Sequence, residues 1–286
     1  MVSDAADLLM FAARVSTERG HAKSTADQWR FVVASFSRYL ARPAKIGDLT
    51  AANINAWLAD LKTSDYTRTT QRAKLLAIRA AAIDERRLKP SRDKIVRVRK
   101  PTLLPRCWEW RGESSELARL LAAIDKLEGT LKSGTPRRLF WRAFAIVAID
   151  TGLRLADLLR IGADDLQPDG SLLVVQNKTR TVHTPAISAA GLDALKAAGL
   201  RNRRSFFAGQ IARGKIGLRF RELRRAAGLQ AGSIKWFRRT GATAVQADQP
   251  GRAWEYLGHA RPGLDRESYV DRGKLAAGTP RPGVFN

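Results

Sequence analysis

Ala145-Ile146-Val147-Ala148-Ile149-Asp150-Thr151-Gly152-Leu153-Arg154-Leu155-Ala156-Asp157-Leu158-Leu159 is a junction between two stretches of helical pattern. An apolar run from about Arg137 to Asp150 stops at Thr151-Gly152, and helical spacing resumes with Leu155, Leu158 and Leu159. Downstream, Asp169-Gly170 marks a turn. The β-rich segments Leu172 to Val175 and Thr181 to Ile187 then flank Asn177-Lys178-Thr179-Arg180, which predicts a hairpin with Lys178 near its tip. Beyond Gly191 the pattern is helical again, with turns near residues 199–205, 230–233, 248–251 and 261–264, and a further helix is expected from Glu113 to Leu127.

Upstream the pattern is helical throughout. Leu8, Leu9, Phe11 and Ala12 share helical spacing, and Ser24 is expected to cap a helix with Trp29, Val32, Val33, Phe36 and Leu40 on one face. Thr50 caps a third, bearing Ile54, Trp57, Leu58 and Leu61. A fourth runs from Thr67 through Leu75, Leu76, Ile78 and Ile83 to Arg87, and Pro90 prevents its continuation. The chain thus divides into a helical domain (1–90), a basic linker (91–106) and a second domain with a C-terminal tail (107–286). The predicted fold class is mostly α with a small antiparallel β-sheet, in two domains, the second of mixed α+β character.

Composition narrows the function. The 286 residues carry 51 Lys+Arg against 27 Asp+Glu, a net charge of +24. The excess is spread over the chain, with 20 basic and 10 acidic residues in 1–100 and 31 and 17 in 101–286. Such a chain binds a polyanion through counterion release, so nucleic acid is the default partner, and charge alone leaves a structural RNA binder open. The one cysteine, Cys107, can form neither an internal disulfide nor a thiolate cluster, which fits a reducing compartment. The first residues lack a basic region before an apolar run, and no apolar stretch is long enough for a bilayer. The expectation is a soluble cytoplasmic protein with no membrane partner.

Four short pieces carry chemistry: Thr151-Gly152-Leu153-Arg154, Lys178 in its hairpin, Lys235-Trp236-Phe237-Arg238-Arg239-Thr240, and Leu257-Gly258-His259 followed by Tyr269. Attack on a phosphodiester builds negative charge on the non-bridging oxygens, which fixed guanidinium donors stabilise. The departing deoxyribose oxygen needs a proton from a nearby acid, a role a lysine on a hairpin tip can fill. A tyrosine can attack and hold the phosphoryl group covalently, so the bond energy is kept for re-ligation without metal or nucleotide cofactor. Any one piece alone reads more readily as structure; their ordered conjunction points to function.

In type, order and spacing these pieces resemble the catalytic set of the tyrosine recombinase (phage integrase) family. The resemblance implies that Arg154 binds the scissile phosphate, that Asp157 braces the site, and that Lys178, 24 residues after Arg154, is the leaving-group acid. Lys235 to Thr243 is similar to the family's His-x-x-Arg-His-Thr-x-Ala-Thr helix, which makes Arg238 the second phosphate arginine. Lys235 and Arg239 stand where that pattern has histidines, and both are given supporting roles. Leu257-Gly258-His259 matches Leu-Gly-His, and Tyr269, ten residues after His259, is the implied nucleophile.

By the same resemblance the 1–90 domain is a core-binding domain. The product of cleavage is a 3′-phosphotyrosyl linkage, and strands exchange through a Holliday junction in a homotetramer on double-stranded DNA. The protein is then a monomer free in solution and associated with a prokaryotic nucleoid. A type IB topoisomerase-like enzyme and an inactive DNA-binding protein of the same fold stay as alternatives. His21 and His183 receive no role, and Trp108, Trp110, Trp141 and Trp254 are read as core or interface anchors. The Gly- and Pro-rich residues 271–286 either dock on a neighbouring protomer or stay disordered.

Overall fold

A computed structural model describes residues 7–99, 105–262, 268–271 and 274–275. The chain forms two compact units, Met1–Leu103 and Leu104–Asn286. The expected fold class is observed: among the described residues helices dominate, and the one sheet has two antiparallel strands.

The first unit contains α1 (Leu8–Glu18), α2 (Lys23–Tyr39), α3 (Ala51–Asp60) and α4 (Asp65–Asp84). Leu8, Phe11, Val15, Val32, Phe36 and Ile78 meet in its core, and the Phe36 and Trp57 rings pack edge to face at 5.6 Å. Thr50 caps α3 as expected, its side chain accepting from the Asn53 amide at 3.2 Å. Three local expectations are corrected. Leu9 is exposed, because Leu8, Phe11, Ala12 and Val15 already fill the buried stripe of α1. Ser24 lies inside α2, whose N-cap position is Ala22. α4 starts earlier than Thr67, capped by Ser64, and ends before Arg87, where Arg86 turns left-handed at φ 57°.

Part of the expected linker is held against this unit. Asn55 brackets residues 94–96, its side-chain amide donating to Lys94 O at 3.1 Å and its Oδ1 accepting from the Val96 amide at 2.8 Å. Arg72 Nε donates to Val96 O at 2.7 Å, and Ile95 and Val98 pack on the core. Residues 100–104 lie outside the described residues.

The second unit is built on α6 (Arg137–Thr151), which buries Phe140, Trp141, Phe144, Val147 and Ala148 among others and so acts as a central rod. Packed on it are α5 (Glu116–Asp125), α8 (Ala189–Ala197) and α10 (Lys235–Asp248). The short α7 (Leu155–Leu158), α9 (Arg213–Ala226) and the short α11 (Ala253–Tyr256) are the remaining α-helices among the described residues of this unit. Trp108 and Trp141 are core residues, with Trp108 against Phe220 and Phe237.

β1 (Val174–Val175) pairs with β2 (Val182–His183), Val174 opposite His183. These strands are shorter than the β-rich segments predicted. Val175 and Val182 face outward, and Pro185, which has no amide hydrogen, cannot extend the ladder as a donor. The stretch 198–212, expected to be helical outside a turn at 199–205, is non-helical throughout. It is tied to α7's exit by Phe206 N to Ile161 O at 2.9 Å and Ala163 N to Arg203 O at 2.9 Å, which turns Phe206 and Phe207 into the core.

Phe144 contacts the rings of Phe140, Trp141, Phe207 and Phe237. Phe144→Ala is therefore expected to destabilise the second unit by about 3–5 kcal/mol, measured by urea denaturation followed at the tryptophans.

Candidate active site

Arg238 lies in the first turn of α10 and is 2% exposed. A charged group so buried needs partners, and two come from distant turns. One guanidinium nitrogen donates to Gly152 O, at the end of α6, and the other to Leu257 O at 3.0 Å, after α11. The second nitrogen also lies 3.3 Å from His259 Nε2. Because a guanidinium can only donate, Nε2 accepts, which places the ring proton on Nδ1. Burial pulls the Arg238 pKa down to about 10, Tyr269 opposes that fall, and Arg154 adds to it.

Both turns depend on glycine. Gly152 (φ 58°) and Gly258 (φ 60°) are left-handed, and a Cβ on Gly152 would lie 2.6 Å from the Tyr256 ring. Gly241 on α10 faces the same ring, where a Cβ would stand 2.0 Å from the Tyr256 hydroxyl. Tyr256 therefore fills a slot between α6 and α10, and its hydroxyl donates to Ile149 O. Burial pushes this phenol well above the usual tyrosine range.

Arg154 follows Gly152 at the start of α7 and donates to Gln176 Oε1. Asp157, 1% exposed, accepts from the Asn177 amide at 2.8 Å and so holds the hairpin turn that carries exposed Lys178. The turn itself closes through Gln176 N to Thr181 O and Arg180 N to Gln176 O, both at 2.9 Å.

Tyr269 faces this cluster. The Arg238 guanidinium carbon lies 4.8 Å from its ring centroid, Lys235 Nζ 5.0 Å, and the His259 ring 5.3 Å. Burial alone would raise the phenol's pKa. The charges of Arg238, Lys235 and Arg154 and a hydrogen bond from Arg238 outweigh it, so the pKa falls below the ordinary value. Lys235 is held below the usual lysine range by its burial, reinforced by Arg239, Arg238 and Lys178. Arg239 points elsewhere, donating to Arg106 O at 3.4 Å, and burial lowers its pKa too.

The segment bearing Tyr269 is anchored in its own chain. Val270 is buried, the Asp271 amide donates to Thr243 Oγ1 at 3.0 Å, and Asp271 Oδ2 accepts from the Cys107 amide at 3.1 Å. Lys274 Nζ stands 3.4 Å from Glu109 Oε2. Of the tail considered for docking on a neighbour, residues 272–273 and 276–286 lie outside the described residues.

Arg154, Lys178, Lys235, Arg238 and Tyr269 thus line one cavity of roughly 780 Å³, and its far wall is α9 with Gly214, Gly217 and Arg221. Among the described residues no group of three or more His, Cys, Asp or Glu comes together to hold a metal ion, and no helix is long and apolar enough to cross a membrane.

Three neighbours of the site were missed by sequence reasoning. Tyr256 carries no motif signal of its own, although small residues at Gly152 and Gly241 leave the room its ring fills between α6 and α10. His183, given no role, is half-buried against Gly258. Burial, with help from Arg238, lowers its pKa. Gln176 is fully buried and continues the inward alternation of Leu172 and Val174, which a polar residue does only when it has partners.

No protein-family model matches the sequence, and no curated protein matches it. Solved structures do. The chain is similar to lambda integrase as a dimer bound to a COC′ core site, with a TM-score of 0.76 at 20% identity over 93% of this chain and 77% of that one. It is similar to a lambda integrase tetramer bound to a Holliday junction, with a TM-score of 0.73 at 18% identity over 90% and 77%. It is also similar to the XerH site-specific recombinase in a post-cleavage complex with a palindromic difH substrate, with a TM-score of 0.63 at 17% identity over 85% and 75%. These structural neighbours are tyrosine recombinases and integrases, and at such identities the likeness is one of fold.

The two phenols differ in environment, so they should differ in titration. With ¹³Cζ-tyrosine labelling, one resonance, lost in Tyr269→Phe, is expected to titrate below the ordinary midpoint of about 10, while Tyr256 does not titrate until well above it. Lys235→Gln removes a cation that favours the phenolate and should raise the Tyr269 midpoint; a Tyr269 midpoint at or above 10 in the unmodified protein would contradict the electrostatics described.

Proposed function

We propose that the protein is a site-specific DNA recombinase that cuts and rejoins strands through a phosphotyrosyl intermediate. The observation that carries this reading is the Tyr269 phenol, its pKa lowered by three cations, in the cavity that Arg154 and Lys178 also line. The fold shared with DNA-bound recombinases and the net charge of +24 support a duplex DNA substrate.

Arg154 and Arg238 hold the non-bridging oxygens of the scissile phosphate. The Arg238 Nε is buried without a hydrogen-bond partner among the described residues, and a phosphate oxygen that reached it would supply one. Tyr269 Oη attacks phosphorus as its proton leaves to solvent beside Lys235, and the bond to the 5′ oxygen breaks. Lys178, exposed on the hairpin turn, gives that oxygen its proton. His259 and Lys235 stabilise the charge on the attacking side, Asp157 braces the hairpin, and Arg239 supports α10 against residue 106. The 5′ hydroxyl of a partner strand then attacks the 3′-phosphotyrosyl bond and releases Tyr269. Exchange through a Holliday junction requires four protomers, and the lambda integrase tetramer supports that assembly.

A library of nicked suicide duplexes, randomised around the nick, tests this. The protein should form a covalent adduct that survives denaturation with some members and that Tyr269→Phe abolishes. Failure to form any adduct would leave a DNA-binding protein of this fold, and a stable adduct without a four-protomer complex would favour a topoisomerase-like enzyme.

On the selected sequence, Arg238→Ala should slow cleavage by about 10²- to 10³-fold and Lys178→Ala by about 10²- to 10⁴-fold. A 5′-bridging sulfur, whose thiolate leaves without a proton, should restore the rate of Lys178→Ala and leave Arg238→Ala impaired.

A further inference from the structure

Gln176 touches three separate parts of the site. Its Oε1 accepts from Arg154 and from Thr179 Oγ1 at 3.1 Å, in the hairpin turn. Its Nε2 donates to Leu257 O at 3.3 Å, and that carbonyl also accepts from Arg238 at 3.0 Å. One amide and one carbonyl therefore join the two arginines in an unbroken chain, Arg154 to Gln176 to Leu257 O to Arg238. The amide's orientation follows from its partners: Arg154 only donates and Leu257 O only accepts, so the reversed rotamer would set like against like at both ends.

Gly258 makes this contact possible. A Cβ there would stand 2.3 Å from Gln176 Nε2, so any larger residue would displace the amide from Leu257 O. Gln176 is fully buried, so water cannot replace the bonds it makes, and leaving either end unpaired is costly. Leucine or methionine would suit the position at least as well if packing were its only task.

We infer that Gln176 is a positioning residue that fixes Arg154 relative to Arg238, so that both guanidinium groups meet one phosphate in register. This rests on the proposed strand-cleaving role of the site. Arg154 alone sits at the head of a short helix with its side chain only partly buried, and Gln176 supplies the lateral hold that Arg238 obtains from Gly152 and Leu257. Displacement of a reacting group by about 1 Å can cost on the order of 10²-fold in rate.

The test uses Gln176→Met, of similar length with neither bond, and Gln176→Glu, which keeps an acceptor for Arg154 and cannot donate to Leu257 O. Both should form adduct roughly 10-fold or more slowly than the unmodified protein in single-turnover assays on the selected nicked duplex. In Gln176→Met the ¹³Cζ midpoint of Tyr269 should also rise, because Arg154 no longer stands fixed beside the phenol, a readout that a filler of space would not move. An unmoved midpoint in folded Gln176→Met, or a rate within twofold of the unmodified protein for either variant, overturns the inference. If the unmodified protein forms no adduct, the proposed function fails instead, and the tyrosine titration still decides the role of Gln176.

Discussion

The second unit is organised around one buried cation. Removing a guanidinium from water is unfavourable by several kcal/mol unless hydrogen bonds offset the loss. Arg238 finds such bonds because Gly152 and Leu257, far apart in sequence, both turn their carbonyls to its terminal nitrogens. The end of α6, the start of α10 and the turn after α11 must therefore converge, and Arg154, Lys235, Arg238 and Lys178 line the cavity from those places and from the hairpin braced against them, opposite α9. Arg154 leaves the first turn, Lys235 shares the α10 face with Arg238, and His259 follows the last.

Close approach of α6 and α10 is what lets a single side chain span these turns. Two glycines, one on each side, clear the space that the Tyr256 ring occupies, and its hydroxyl takes up Ile149 O in the last turn of α6. The aromatic core beneath, with Trp108 and Phe144 both in contact with Phe237, fixes α10 from the other side. Shape and polarity are coupled here. The apolar packing sets the depth of Arg238, and the carbonyls make that depth tolerable.

The cations are gathered at an electrostatic cost. Arg238, Lys235 and Arg239 all have depressed pKa values, with burial as the largest cause and mutual repulsion contributing at the first two. Such a cluster gains most from a group with concentrated negative charge, and both a phosphate and a phenolate qualify. The same charges that would hold a scissile phosphate thus also ease ionisation of Tyr269, and a chain of net charge +24 would attract a polyanion to them.

Much of this was legible in the linear chain. Apolar periodicity located α2, α3 and α6, the family resemblance placed a helix over Lys235 to Thr243, the Thr151-Gly152 break located the first turn, and β-branched segments around Lys178 located the hairpin. The motif residues could be named because their type, order and spacing resemble the tyrosine recombinase set, and phosphate chemistry gives those residue types a reason to be there. Exact helix ends were less accessible: Ser24, expected as a cap, lies inside α2, and the helix expected from Thr67 begins earlier, capped by Ser64. The non-helical course of 198–212 was hidden because Phe206 and Phe207 suit a buried helix as well as a buried loop. Only the tertiary structure decided that Gln176 joins two arginines and that Tyr256 is a wedge while Tyr269 meets the cations. Those assignments depend on which distant carbonyls and charges surround a side chain, and periodicity along one segment carries no information about its neighbours across the core.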